Sequence, residues 1–128
     1  MNHKLIVALD QGSSASRALA VDEKGKVTAR VSRAVETFRP AEGLAEFDAW
    51  QLLRGQVDSL QEVLDRAGAE KVAAISVASQ RSTVVFWDRL TGKPVAPALS
   101  WQDGRAVAEA EAAALPQETV HQLTGLYK

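Results

Sequence analysis

Cysteine is absent from this chain of 128 residues, so neither disulfides nor thiolate metal sites are available to it. Histidine is nearly absent. His3 and His121 stand far apart, which argues against a histidine metal cluster. Neither sign of charge is in excess: 15 Lys and Arg against 16 Asp and Glu leave a net charge of −1. Nothing therefore points to a nucleic-acid or membrane-surface partner. No apolar run approaches the length of a membrane span. The first residues, Met1-Asn2-His3-Lys4, lack the apolar core of a secretory signal, and the expected location is cytoplasmic. Neither Gly-x-x-x-x-Gly-Lys-Ser/Thr nor Gly-x-Gly-x-x-Gly occurs, which weighs against P-loop and Rossmann readings. Internal repeats and low-complexity linkers are also missing. What remains is an ordinary globular balance, 46% hydrophobic and 24% charged, on a chain long enough for one domain with a real core.

The most informative stretch is Asp10-Gln11-Gly12-Ser13-Ser14-Ala15-Ser16-Arg17. It follows Leu5-Ile6-Val7-Ala8-Leu9, an apolar run that reads as a strand buried on both faces. An acid at the end of such a strand, then glycine, then paired hydroxyls, suits a phosphate-and-metal site. Asp10 can orient a hydrated Mg²⁺, a hard cation that prefers oxygen. Gly12 lets the backbone turn and approach a phosphate without a Cβ clash. Ser13 and Ser14 offer hydroxyl and backbone donors, and Arg17 a fixed positive charge. The same spacing suits a β-hairpin with a polar turn equally well, and the residues alone leave both readings open.

Along the chain, strands are expected at Lys4–Leu9, Arg17–Asp22 and Val27–Ala34, the last two joined by the charged turn Glu23-Lys24-Gly25-Lys26. They make an antiparallel meander whose first turn is the Asp10 loop. In the third strand Val27, Ala29, Val31 and Arg33 share one face, and Thr28, Arg30 and Ser32 the other. Residues Phe38–Phe47 read as a connecting loop. Asp48 is an N-cap candidate, with Gln51 completing a capping-box pattern for a helix over Ala49–Ala67 that Gly68 ends. Leu53, Val57, Leu60, Leu64 and Ala67 recur at helical spacing as a core-facing stripe. Val72–Ala78 suits a central parallel strand packed between helices. Thr83–Trp87 and Ala98–Trp101 read as further strands. Asp103 is placed to cap an Ala-rich helix reaching about Ala114, and Gln117–Thr124 reads as a short helix closed by Gly125. Trp50 and Trp87 are expected to be packing residues.

Three stretches together resemble one family. Leu9 to Arg17 resembles the phosphate loop of sugar kinases in the actin-like ATPase superfamily. Ser79-Gln80-Arg81-Ser82-Thr83 resembles the Asn-Gln-Arg-Glu-Thr stretch of glycerol kinases. Thr91-Gly92-Lys93-Pro94 with Ser100-Trp101-Gln102-Asp103-Gly104-Arg105 resembles the turn and Trp-Gln-Asp-x-Arg segment of the same enzymes. Order and spacing agree from about Leu5 to Leu126. The chain is thus similar to the FGGY carbohydrate kinases, which include glycerol, xylulose, ribulose and gluconate kinases. The resemblance implies an α/β fold of the ribonuclease-H-like, actin-like type, with a mixed sheet, an antiparallel three-stranded meander and helices. It implies that residues 1–128 are one incomplete N-terminal domain, with the remainder of the kinase as a second domain and partner.

The implied reaction is transfer of the γ-phosphoryl group of ATP, with Mg²⁺, to a hydroxyl of a sugar or polyol. The implied metal residue is Asp10. The nucleotide-phosphate residues are Gly12, Ser13, Ser14 and Arg17, and the acceptor residues are Gln80, Arg81, Ser82, Trp101 and Asp103. Two departures stand out. Ala15 replaces a serine common in glycerol kinases. Ser82 replaces the glutamate that accepts bonds from glycerol, which leaves room for a larger polyol or a pentulose. The family's catalytic aspartate is expected beyond Lys128, so these residues alone are expected to be inactive. A non-catalytic actin-like nucleotide-binding module is the alternative from another class. Self-association is left open.

Overall fold

The alternating apolar pattern and two polar turns lay three antiparallel strands side by side. In the computed structural model, which describes residues 4–113 and 115–125, these are β1 (Leu5–Gln11), β2 (Ala15–Val21) and β3 (Val27–Ala34). The β2–β3 turn is closed by Asp22, whose Oδ1 accepts from the N–H groups of Lys24 and Lys26 at 2.9 Å each, while Gly25 takes φ 79°. His3 and the expected helix end at Ala114 lie outside the described residues.

A short two-residue strand, β4 (Glu46–Phe47), interrupts the expected loop before helix α1 (Ala49–Ala67). Asp48 caps α1 by accepting the Trp50 N–H at 2.7 Å. The capping box does not form, because Gln51 Oε1 turns away to accept the Glu36 N–H at 3.1 Å. Gly68, at φ 88°, ends the helix and donates to Leu64 O. Strand β5 (Val72–Ser79) then runs parallel to β1, giving the order β3-β2-β1-β5. A parallel return of this kind needs a crossover helix, and α1 supplies it.

The core face of α1 differs from the expected stripe. Leu52, Ser59 and Val63 are buried, and Leu60, Leu64 and Ala67 pack beside them, whereas Leu53 and Val57 are half exposed. The small residues explain the rotation. Gly55 lies so close to β2 that a Cβ would stand 3.1 Å from Ser16 Oγ, and the adjacent turn of that face is Ser59. A face of glycine and serine lets helix and sheet approach, and hydrophobicity alone does not mark it. Beneath it Leu5, Val7, Leu9, Ala18, Ala20 and Val31 form the main core. Each fully buried Val or Leu there contributes about 1.5–3 kcal/mol. Arg33 shares the Val31 face, as expected, and pairs with Glu62 of α1 at 2.8 Å.

Neither β1 nor β5 is covered on both faces. Ile6 is half exposed, and β5 lies open on both faces, with Ile75 and Val77 exposed. Ile75 and Val77 are register neighbours of the buried Val7 and Leu9. They therefore share the α1 side of the sheet, but α1 packs on the meander and does not reach them.

Beyond β5 the expected strand Thr83–Trp87 is absent as a regular element. The segment is extended and makes only isolated bridges, Val84 to Leu99 and Trp87 to Pro94. Pro94 and Pro97 remove two donors from the facing arm, so no continuous ladder forms. The strand expected over Ala98–Trp101 shrinks to β6 (Ala98–Leu99), which pairs with β4. Phe47, Leu52 and Ala98 make a second small core at this junction. Trp50 and Trp87 are not core residues: they are 40% and 64% exposed. Helix α2 (Val107–Ala112) starts four residues after Asp103, with Ala106 at its N-cap, so Asp103 does not cap it. Helix α3 (Gln117–Thr124) ends at Gly125, φ 72°, as its sequence requires.

Candidate functional site

Parallel pairing of β1 with β5 sets Gln11 beside Ser79, so both strands end at the same edge of the sheet. The loops that follow them lie together outside the carboxyl ends of the strands, where ligand clefts form in such sheets. Asp10, Gln11, Gly12 and Ser13 form one side of a cleft of about 540 Å³. Ser79, Gln80, Arg81 and Ser82 form the other, and Trp101 makes a wall. Seven of the ten expected site residues are thereby brought together. Ser14, Arg17 and Asp103 do not line the cleft.

The loop between β1 and β2 is a tight turn closed by Gly12 N–H donating to Ala15 O at 2.9 Å. A Cβ at Gly12 would meet that carbonyl at 3.1 Å and Arg17 Nη1 at 3.3 Å, so glycine is needed for space. Among the described residues, neither the N–H nor the hydroxyl of Ser13 or Ser14 donates a hydrogen bond. These four donors are free for an anion. Ser14 O is anchored by the Val35 N–H at 3.0 Å, which fixes the turn against β3. Arg17 is not free: its Nη1 pairs with Asp10 Oδ2 at 2.9 Å, and its own carbonyl accepts from Gln56 of α1 at 2.9 Å.

Asp10 stands at the end of β1 with one carboxylate oxygen paired and the other unpaired among the described residues. The described residues hold no cluster of three or more His, Cys, Asp or Glu. A single carboxylate nevertheless suits Mg²⁺, which keeps several waters and takes its remaining ligands from substrate phosphates. Gln11, which sequence reasoning passed over, is tied down at both ends. Its Nε2 donates to Gly12 O at 3.2 Å, and its Oε1 accepts from the fully buried Ser16 hydroxyl at 2.9 Å.

On the facing side Arg81 is exposed, and among the described residues its guanidinium makes no hydrogen bond or ion pair. Ser82 adopts φ 63°, a left-handed conformation rare outside glycine, and so reverses the chain at the cleft. Gln80 is not free: its amide bonds to Gly12 O and to Thr83. The Trp101 indole is 54% exposed, which leaves a flat apolar surface toward the cleft.

Asp103 serves a different purpose. Its carboxylate accepts from Arg105 Nε at 2.7 Å and from the Ala45 N–H at 2.7 Å, and Arg105 reaches on to Glu46 at 2.6 Å. This clamp fastens the segment carrying Trp101 to β4. The Arg105 guanidinium first, and then the Ala45 N–H, hold the Asp103 carboxyl well below its ordinary value of 3.8. With the folded value depressed, the clamp's contribution is complete above 3.8 and is lost as pH falls below it. Denaturation midpoints taken from about pH 6 down to about pH 2 should therefore fall more steeply in the parent than in Asp103→Asn. Parallel curves would show that Asp103 does not carry this linkage.

Comparison with known proteins agrees with this geometry. The chain is 42% identical to a glycerol kinase of Shewanella pealeana, covering 98% of the chain and 26% of that enzyme. It is 36% identical to an apulose kinase of Pectobacterium atrosepticum, covering 80% of the chain and 21% of the enzyme. The solved xylulose kinase of Rhodospirillum rubrum superposes with a TM-score of 0.81 at 28% identity, over 92% of this chain and 25% of that one. The chain thus spans about a quarter of the length of these relatives. The mixed sheet with its meander and crossover helix is a ribonuclease-H-like domain of the actin-like sugar kinases, present in part. Residues 5–127 match the FGGY family of carbohydrate kinases, N-terminal domain, and the chain belongs to that family.

Proposed function

We propose that residues 1–128 form the first part of the N-terminal domain of a kinase that moves the γ-phosphoryl group of ATP to a hydroxyl of a polyol or sugar. One observation carries this reading. Free donors face each other across one cleft, with Ser13 on one side, next to the equally free Ser14 in the same turn, and Arg81 on the other. The first pair suits phosphate oxygens, and the planar fork of Arg81 suits adjacent hydroxyls. Trp101 provides an apolar surface for a carbon skeleton. Mg²⁺ bound with the nucleotide would neutralise phosphate charge, and Asp10 is the residue to hold it. Such chemistry depends mostly on positioning, which fits two rigid strand ends with short loops. The test is ATP-dependent phosphorylation of a panel of polyols and ketoses by the complete protein. Phosphorylation of none of them would leave a nucleotide-binding module, which needs neither Arg81 nor Trp101.

A second reading narrows the acceptor. Ser82 is shorter and uncharged where glycerol kinases carry glutamate, and apulose and xylulose kinases stand among the similar proteins. A five-carbon ketose would fill the space that serine leaves. Loss of a charge-assisted hydrogen bond amounts to about 1.5–3 kcal/mol, or roughly one to two decades in affinity. Both serine and glutamate bear the same left-handed strain at φ 63°, so the difference lies in side-chain reach and charge. Ser82→Glu should raise kcat/KM for glycerol about 10- to 100-fold, and more than for any ketose. A parent enzyme that already prefers glycerol over every ketose would remove Ser82 from the specificity argument.

A further inference from the structure

Gln80 lines the cleft, yet both ends of its amide are taken. Its Nε2 donates to Gly12 O at 2.9 Å, and its Oε1 accepts from the Thr83 hydroxyl at 2.8 Å. The same hydroxyl oxygen accepts from the Trp101 N–H at 3.2 Å. The direction of this series is forced. A carbonyl can only accept, so Gly12 O fixes which end of the Gln80 amide faces it. The amide oxygen then needs a donor, and Thr83 supplies its only hydroxyl proton. Thr83 is left as an acceptor, which an N–H at Trp101 satisfies. Three segments are thus joined: the turn after β1, the turn after β5, and the loop after β6.

The backbone is arranged to make the series close. Gln80 directly follows β5, whose Ser79 is the register partner of Gln11, so it stands beside Gly12. Ser82 at φ 63° reverses the chain and returns the Thr83 hydroxyl to Gln80 three residues back. Gly12 O also receives Gln11 Nε2 at 3.2 Å, and Gln11 is held by the buried Ser16. The series is therefore anchored in the core at one end and carries the Trp101 wall at the other.

We propose that Gln80 and Thr83 are positioning residues: they set the gap between the phosphate-binding turn and the acceptor wall, and Gln80 is not itself an acceptor ligand. This rests on the kinase reading above. In-line transfer tolerates little misplacement, and an error near 1 Å can lower the rate about 100-fold. A residue that binds the acceptor raises KM when removed. A residue that aligns two bound substrates lowers kcat and leaves KM in place.

The experiment uses the complete kinase with Gln80→Leu, Thr83→Val, the double variant and Thr83→Ser. Gln80→Leu and Thr83→Val should each lower kcat about tenfold, with KM for acceptor and for ATP unchanged. The double variant should lose no more than either single, because one series is broken once. Thr83→Ser keeps the hydroxyl and should restore kcat. A raised acceptor KM at unchanged kcat overturns the proposal and makes Gln80 a ligand. Unchanged kinetics, or losses that add in the double variant, overturn it as well. A second readout does not need turnover: amide hydrogen exchange at Trp101 should quicken about tenfold in Gln80→Leu, two bonds away. Unchanged exchange there overturns the series even if the protein phosphorylates nothing, whereas absence of activity with quickened exchange defeats only the kinase reading. Should Gln80→Leu fail to fold, the near-isosteric Thr83→Val against Thr83→Ser decides by the same kcat and exchange measurements.

Discussion

Asp10→Ala in the complete kinase should lower kcat on the order of 1,000-fold, about 4 kcal/mol of barrier, while the fold survives. The fold should survive because Asp10 stands at the mouth of the sheet and not in its core. Its ion pair with Arg17 joins side chains that are 45% and 30% exposed. Pairs exposed to that degree contribute only about 0–1 kcal/mol. The kinetic effect should be large because, among the described residues, Asp10 is the only carboxylate lining the cleft. Nucleotide affinity separates its roles. Magnesium should tighten nucleotide binding in the parent and barely do so in Asp10→Ala. Metal-free affinity should not fall, since removing Asp10 also removes a negative charge from the cleft that would repel phosphate oxygens. If affinity drops equally with and without the metal, Asp10 shapes the loop and does not hold a cation. An unfolded variant would make it a structural residue.

Much of the frame was legible because short-range chemistry decides it. Asp48 and Gly68 carry their own backbone preferences, and α1 begins and ends where they stand. The meander follows from alternation and from the Asp22–Gly25 turn. Position within the site was legible only as far as the sheet order was. Once β5 lies parallel to β1, the Asp10 turn and the Gln80–Ser82 turn must meet at one edge.

What sequence reasoning missed depends on tertiary partners. The core face of α1 is set by how closely Gly55 and Ser59 let the helix approach Ser16, and small polar residues give no hydrophobic signal. Gln51 satisfies the Glu36 N–H in place of its own helix end, a choice made by a loop 15 positions away in sequence. Asp103 read as a helix cap because a helix follows it, but Ala45 N–H and Arg105 reach it first. Arg105 carried a signal that could have been used: it stands two residues after Asp103, the spacing of a local side-chain clamp. Thr83–Trp87 has the composition of a strand, yet its partner arm contains Pro94 and Pro97, and a strand needs a ladder on both sides of the pairing.

The 128 residues as a separate polypeptide should show no turnover of ATP with any polyol or sugar. Transfer needs a base at the acceptor hydroxyl, and among the described residues Asp10 is the only acid lining the cleft. Asp10 is poorly suited to that part, because Arg17 holds one of its oxygens and it belongs to the same turn as the donors suited to phosphate. The cleft is also open to water, since its described walls are two turns and the half-exposed face of Trp101. Water competes with the acceptor and weakens every charge interaction in such a site. Both faces of β5 present apolar surface as well, so the strand that positions Gln80 and Arg81 lacks the packing that would hold it rigid. Each of these alone lowers the rate, and together they should bring it to the uncatalysed level. The assay couples ADP release to a chromogenic readout, with circular dichroism on the same sample to confirm helix and sheet. Steady acceptor-dependent ADP release from the folded polypeptide would show that a base and a closed site lie within these residues, and would move the chemistry onto Asp10.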